Sequence, residues 1–391
     1  MATSTKIRIP RSLFLDAVRK SGLLPPDDIV AFFTQESVDD ATINDPIKLA
    51  TLFVRKKLLT KFQAMQLLKG KTQGFLLGNY RVLEGIRQDR VGMVFLAEHR
   101  RNKNRVSLKV LPSDRASDEM ILREFTKEVR LAARIEHTYV ARVLDMDVVN
   151  GINFVVSEYV PGPTLDKVIA AKGPLAPNAA AQFVAQVAVG LRLAHGRNLL
   201  HRDIKPANIA LTGPKSIKLI DLGLTHMLES PWQRVTKRIS TKEFAEEIDH
   251  VAPEQAWGQD LDVRGDIYSL GSTMYSLLTG QSPFPGTAAE KMTARQLSDV
   301  PKPSLIQKNI PRELDAVVQK MGARDPIARY QSAEEVLVAL HAWLPFQEWL
   351  ALGVNLNTAP VVAERTGEKK QLEKAKTAGF LSRVFRVFRR N

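Results

Sequence analysis

Residues 201–209 read HRDIKPANI, and IDLGL begins twelve residues after Asn208. Both stretches interrupt a long region of helical periodicity that runs from about 163 to 345. The first sets His201, Arg202, Asp203, Lys205 and Asn208 between apolar runs, and the second sets one carboxylate, Asp221, inside another. Charge held among apolar residues has to be paired or has to serve a ligand. The stretch is therefore either a buried ion-pair loop or a site, and the rest of the chain decides between them.

The chain is long enough to build a sizeable core around such a feature. Its 391 residues allow two or three folded units, at roughly 100–200 residues each. A hydrophobic share of 44% with 25% charged residues is ordinary for a globular protein.

Residues 1–75 read as helical. Ser12 to Lys20 has helical spacing and stops at Ser21-Gly22, and Pro26-Asp27-Asp28 opens a second helix through Phe33. Pro46 to Lys57 is a third. Thr60 with Gln63 predicts a capping box for a fourth, KFQAMQLLKG, ending at Gly70. The segment VRKSGLLPPDDI (18–29) echoes VRKKLLTKFQAM (54–65), as a repeated hairpin or as two amphipathic hairpins alike by chance. From 80 onward YRVLEGI, GMVFLAEH and RVSLKVLP carry strand character. A helix is expected over Glu119 to Arg134, then strands near 140–148 and 152–158. A small β-rich lobe followed by a large helical lobe is an α+β arrangement. The expected divisions are 1–75, a helical interaction or regulatory region; 80–345, the main domain; and 346–391, a linker and basic tail.

Net charge is +14, which favours acidic partners or reflects a solvated basic surface. The absence of cysteine excludes disulfides, thiolate metal sites and cysteine nucleophiles, and fits a reducing compartment. No run of 18 apolar residues exists and MATSTKIRIP lacks a secretory core, so a cytoplasmic protein is expected.

HRDIKPANI holds every fixed residue of the pattern H-R-D-x-K-x-x-N. Over roughly residues 80–345 the chain resembles the protein kinase family, and more closely the bacterial, eukaryotic-type (Hanks-type) Ser/Thr kinases. The resemblance implies a two-lobed protein kinase-like fold and transfer of the γ-phosphoryl of Mg-ATP to a protein Ser/Thr hydroxyl. It implies Asp203 as the base and Lys205 as the group offsetting phosphoryl charge, with Asn208 and Asp221 as ligands of Mg2+. In RVSLKVL it implies Lys109 on the nucleotide phosphates, and in FTKEVRLAARIEH it implies Glu128 as the ion-pair partner of Lys109. VVSEYV resembles the hinge, where Glu158 and Val160 offer backbone groups to adenine and Ser157 is a small gatekeeper. VAPEQA resembles the end of the activation segment, DIYSLG supplies Asp266 to brace the catalytic loop, and Arg329 is the implied partner of Glu254.

Several positions depart from the family pattern. Ile86 to Val94 aligns with a glycine-rich loop, I-G-x-G-x-x-G-x-V, that covers the phosphates. Ile86, Gly92 and Val94 are kept, but Arg87 and Asp89 replace the first two glycines, which lets Cβ atoms crowd the phosphates. Arg87 and Arg90 are expected to add positive charge beside the triphosphate and Asp89 to oppose it, giving a weaker grip on ATP. Asp221-Leu222-Gly223 replaces Asp-Phe-Gly, Ser107 stands for the usual alanine above adenine, and Glu246-Glu247 stand for a Gly-Thr pair. The degraded loop and Glu246-Glu247 motivate an alternative: a pseudokinase with impaired or absent turnover acting as a nucleotide-sensing scaffold or interaction module. Ser230, Thr236, Ser240 and Thr241 are candidate phosphosites, with Arg202 placed to receive a phosphate.

The N-terminal helices followed by FLLGNYRVL resemble segments ahead of planctomycete kinase domains, which implies contact with a regulatory protein. Residues 361–391 carry nine Lys and Arg against three Glu. Leu381, Val384, Phe385 and Phe388 share one helical face there, the design of an interfacial helix. Contact with the inner face of an anionic membrane, docking on the kinase-like domain or a partner, and a solvated tail are the alternatives this leaves open. No nucleic-acid-binding module accompanies the charge.

Overall fold

Four short helices open the chain in the computed structural model, which describes residues 11–35, 42, 45–88, 92–111, 118–224 and 248–344. They are α1 (Arg11–Ser21), α2 (Pro26–Gln35), α3 (Pro46–Arg55) and α4 (Lys61–Leu68). Asp45 caps α3 by accepting from the Ile47 and Lys48 amides, and Pro46 takes the next position, where no N–H is needed. α4 starts on the capping box expected from its sequence. The Gln63 amide donates to Thr60 Oγ1 at 3.1 Å, and the Thr60 amide donates to Gln63 Oε1 at 2.9 Å. Phe14, Val18, Phe32, Leu49, Phe53 and Leu67 form the core of this helical region, with Phe32 edge-on to Phe53 at 4.7 Å.

The two capping residues also join the helices to the neighbouring strand. Thr60 Oγ1 donates to the Leu83 carbonyl at 2.6 Å, and Gln63 Nε2 donates to the Val82 carbonyl at 2.6 Å. Arg81 returns a bond to the Leu58 carbonyl at 3.1 Å, and Phe62 packs on Phe95 with centroids 6.2 Å apart. Gln63 is fully buried, so these bonds satisfy a side chain that burial would otherwise penalise.

The strands β1 (Leu76–Leu77), β2 (Tyr80–Gln88), β3 (Met93–His99), β4 (Arg105–Val110), β5 (Val143–Val149) and β6 (Ile152–Glu158) form one antiparallel sheet in the order β1-β2-β3-β4-β6-β5. Val82, Ala97, Val106, Leu108, Phe154 and Val156 fill one side of it. Helix α5 (Glu119–Ala132) packs Phe125, Val129 and Ala132 with Val143, Val155 and Leu222. Register sets up the site: Arg87 pairs with Val94, Val94 with Lys109, and Lys109 with Val155. Directly paired residues point to one face, so these four form a row. Gly85 pairs with Phe95 while Arg87 pairs with Val94, which leaves Ile86 as the extra residue of a bulge.

The rest is mainly helical: α6 (Leu165–Lys172), α7 (Pro177–His195), α8 (Pro253–Ala256), α9 (Val263–Thr279), α10 (Ala288–Leu297), α11 (Arg312–Met321) and α12 (Ala333–Leu340). A two-stranded ribbon, β7 (Ile209–Gly213) and β8 (Ser216–Leu219), lies between α7 and α8 in sequence. α7 and α9 are buried on nearly every side, which makes them the centre of the helical lobe. No helix among the described residues is long and apolar enough to cross a membrane. Asp89, Arg90, the four candidate phosphosites, Glu246, Glu247 and the tail from 346 onward lie outside the described residues.

Candidate active site

The catalytic-loop sequence enters the cleft in a conformation that few side chains tolerate. Arg202 and Asp221 have φ of +63° and +65°; such left-handed residues cost on the order of 1–3 kcal/mol each and need support. Asp266, fully buried, supplies much of it. It accepts from the His201 and Arg202 amides at 2.9 and 2.8 Å, and from His195 Nε2 at 2.9 Å. Burial alone would raise the Asp266 carboxyl, but the His195 bond and the facing amide outweigh it and lower the pKa. Gln255 Nε2 holds the Arg202 carbonyl at 2.8 Å. His201 Nε2 lies 3.0 Å from the Ile220 carbonyl, and the Ile220 amide donates to the Asn208 carbonyl at 2.9 Å. The two polar stretches of the sequence are thus tied side by side. His195 lies in no stretch whose spacing marks it, and Gln255 lies inside VAPEQA at a position to which the motif assigns no role.

The polar groups converge. Asp203 Oδ2 accepts from Lys205 Nζ at 2.8 Å and from Asn208 Nδ2 at 2.9 Å. The Asn208 amide nitrogen also reaches the Asp203 carbonyl at 2.8 Å, which turns Oδ1 toward Asp221. Lys109, 4% exposed, donates to Asp221 Oδ2 at 2.9 Å. Arg87 Nη2 bonds the same Asp221 oxygen and stands 3.4 Å from Asn208 Oδ1. Burial would raise the Asp221 carboxyl; Lys109 and Arg87 outweigh that and hold it far below the usual carboxylate range. One cationic nitrogen is therefore served by both expected metal ligands. Two hard oxygens aimed at a single cationic position fit magnesium, with phosphates and water left to complete its shell.

One expectation is corrected here. Lys109 is expected to pair with Glu128, but it pairs with Asp221, and Glu128 pairs with Arg202 at 2.5 Å. Among the described residues, Arg87, Lys109 and Arg202 face the carboxylates of Asp221 and Glu128, and Lys109 lies 2.9 Å from Asp221. Glu128 keeps Arg202 on one oxygen, while its Oε2 is buried without a hydrogen-bond partner. Arg87, expected beside a triphosphate, is turned onto the acidic groups beneath it. The Arg202 guanidinium, expected to receive a phosphate, is held by Glu128.

The expected nucleotide-facing residues divide by register. Val94 lies in the row with Lys109 and is 3% exposed, whereas Ile86 sits on the bulge and is 37% exposed. Gly92 has φ +153°, a backbone value that favours glycine, so the one loop glycine retained is the one its conformation requires. Ser107 pairs across the sheet with Ser157, two residues from Lys109 and hence on the same face. Glu158 at the end of β6 spends its amide on the Arg142 carbonyl at 2.8 Å and its carboxylate on Lys218 at 2.7 Å. Val160, two residues on, is half-buried. Farther out, Arg329 clasps Glu254 with two bonds of 2.6 and 2.9 Å.

This cleft, between a six-stranded sheet and a helical lobe, is that of a known family. The family model for the protein kinase domain matches residues 80–344, and the chain belongs to that family. Among curated relatives, the serine/threonine-protein kinase PknB of Mycolicibacterium smegmatis is 34% identical over 256 residues, covering 63% of this chain and 40% of that protein. PrkC of Bacillus subtilis is 32% identical over 260 residues, covering 66% of this chain and 39% of that protein. The chain thus spans about two fifths of the length of these relatives. The crystal structure of the Mycobacterium tuberculosis PknI kinase domain matches with a TM-score of 0.56 at 28% identity, over 69% of this chain and 98% of that one.

Proposed function

We propose that this chain is a serine/threonine protein kinase that transfers the γ-phosphoryl of Mg-ATP to a protein hydroxyl. The observation that carries this reading is the convergence of Lys109, Asp221, Asn208, Asp203 and Lys205 in one connected polar cluster. The names of the PknB and PrkC relatives support the substrate class. The hydroxyl oxygen attacks the γ-phosphorus as the bond to the β–γ bridging oxygen breaks, and ADP leaves with that electron pair. Asp203 takes the hydroxyl proton, Lys205 offsets charge on the transferring group, and Lys109 holds the phosphates. Asn208 and Asp221 would hold magnesium, which when bound neutralises phosphate charge. Val94, Gly92 and Ile86 cover the nucleotide, and Glu158 and Val160 meet adenine through their backbones.

A second reading, a nucleotide-binding pseudokinase, is favoured by one observation: Lys109 and Glu128 are each committed elsewhere. The kinase reading treats that pairing as a resting arrangement that nucleotide reverses. Purified protein incubated with magnesium and γ-labelled ATP, beside Asp203→Asn, tests this. Label on a protein hydroxyl with the parent only is expected. No label with either, while Mg-ATP still raises the melting temperature, would establish the second reading.

The division into a regulatory region (1–75), a catalytic domain (80–345) and a basic tail (346–391) belongs to the same proposal. Its partners are a protein substrate, a regulatory protein at the N-terminal helices and an anionic membrane at the tail. The stitching of α4 to β2 supports the second of these, because β2 carries Arg87.

A further inference from the structure

Arg87 stands where the family resemblance places a glycine, and three independent features carry its guanidinium into the acidic centre. The bulge at Ile86 shifts the register so that residue 87, and not 86, pairs with Val94. Val94 pairs in turn with Lys109, so both cations leave one face of the sheet in one row. Thr60 and Gln63 of the α4 region hold β2 just before the bulge, and Phe62 packs on Phe95 of β3 beside it. The result is a guanidinium bound to Asp221 and near Asn208, with both ion-pair side chains largely shielded, at 24% and 11% exposure.

We propose that Arg87 is a built-in substitute for the divalent cation: it occupies the Asn208–Asp221 position until nucleotide phosphates draw it away. The inference rests on the assignment of Asn208 and Asp221 as the metal ligands. A guanidinium and a divalent cation cannot share two oxygens at contact distance, so each excludes the other. Phosphates offer the guanidinium a planar, bidentate partner of higher charge than one carboxylate. Once Arg87 has moved to them, the two oxygens face a vacated cationic position. Metal and nucleotide therefore bind cooperatively, and either one alone binds poorly or without its usual companion. The pattern also accounts for the arginine at a position where a Cβ crowds phosphates: the side chain serves as a phosphate ligand and as a metal stand-in in turn.

The test uses the full chain and two probes, Mn2+ without nucleotide, read by the electron paramagnetic resonance of free Mn2+, and ATP in excess EDTA, read by calorimetry. The variants are Arg87→Gln, which keeps length without charge, and Arg87→Lys, which keeps charge. Coupling of this kind is typically about 5- to 150-fold. Arg87→Gln is expected to bind Mn2+ at least about fivefold more tightly than the parent and to lose affinity for metal-free ATP. Arg87→Lys keeps the charge but not the planar fork, so it is expected to stay near the parent on Mn2+ and to lose part of the affinity for metal-free ATP. Asp221→Asn added to Arg87→Gln should abolish the gain in Mn2+ binding. Equal Mn2+ affinity in the parent and Arg87→Gln, including no measurable binding to either, overturns the proposal. Mg-ATP binding by the parent, measured in the same series, separates that outcome from failure of the kinase reading, in which the parent binds no Mg-ATP.

Discussion

Replacing Arg329 by methionine tests how the helical lobe is held to the end of the activation segment. Arg329 is 2% exposed. Its guanidinium meets both Glu254 oxygens at 2.6 and 2.9 Å, and donates to the carbonyls of Ala323, Arg264 and Arg324 at 2.7, 2.9 and 2.9 Å. It also lies 4.9 Å from the Tyr268 ring centroid. Methionine fills part of the volume and restores none of the bonds. Three carbonyls lose a donor, and the Glu254 carboxylate, whose side chain is 11% exposed, loses its counter-charge. Breaking a buried pair from one side costs about 3–5 kcal/mol. Against a total stability of about 5–15 kcal/mol, that is a large share. Urea unfolding followed by circular dichroism would show the midpoint falling steeply. Glu254→Gln keeps an acceptor but leaves the Arg329 guanidinium, 0% exposed, without its counter-charge, and should likewise cost about 3–5 kcal/mol. The double substitution removes both charges, so its cost should be less than the sum of the two by about 0.5–3 kcal/mol. A loss below about 1 kcal/mol for Arg329→Met, or strict additivity in the cycle, would refute this account of the pair.

Two further outcomes can be checked separately. Burial pushes His250 down to about 4, helped by Lys205 and Arg295 and opposed by Asp249 and Asp203. The folded state therefore keeps it neutral where the unfolded chain, titrating near pH 6.5, binds a proton. Its contribution is complete above about pH 6.5 and is lost as pH falls toward 4, amounting to about 3 kcal/mol at most. Urea midpoints across that window should fall less for His250→Gln than for the parent, and parallel profiles would contradict this. Thr60→Ala removes a helix cap and the bond to the Leu83 carbonyl, at a cost of about 1–2 kcal/mol. Hydrogen exchange should then quicken in peptides from both α4 and β2, and quickening in α4 alone would deny the seam.

The capping box at Thr60 and Gln63 shows where sequence reading stops. Its local half comes from spacing alone. Its second half, the bonds to Val82 and Leu83, joins residues 19 and 23 positions apart and depends on which way α4 is laid against the sheet. The active site divides the same way. HRDIKPANI and IDLGL were legible because their residues are fixed by short loops, and the chemistry expected of them came from the family resemblance those residues carry. The partners of Lys109 and Glu128 were not, because among the described residues Arg87, Lys109 and Arg202 compete for Asp221 and Glu128 and the outcome depends on distances between separate elements. The role of Arg87 turned on a one-residue bulge, and a shift of one residue moves a side chain to the other face of a strand.

The most direct measurement is a crystal structure of the chain with magnesium and a non-hydrolysable ATP analogue. Asn208 and Asp221 should lie at about 2.0–2.1 Å from the metal, with Lys109 and Arg87 both moved from Asp221 onto phosphate oxygens. An analogue absent from the cleft, with Arg87 and Lys109 still seated on Asp221, would contradict the account.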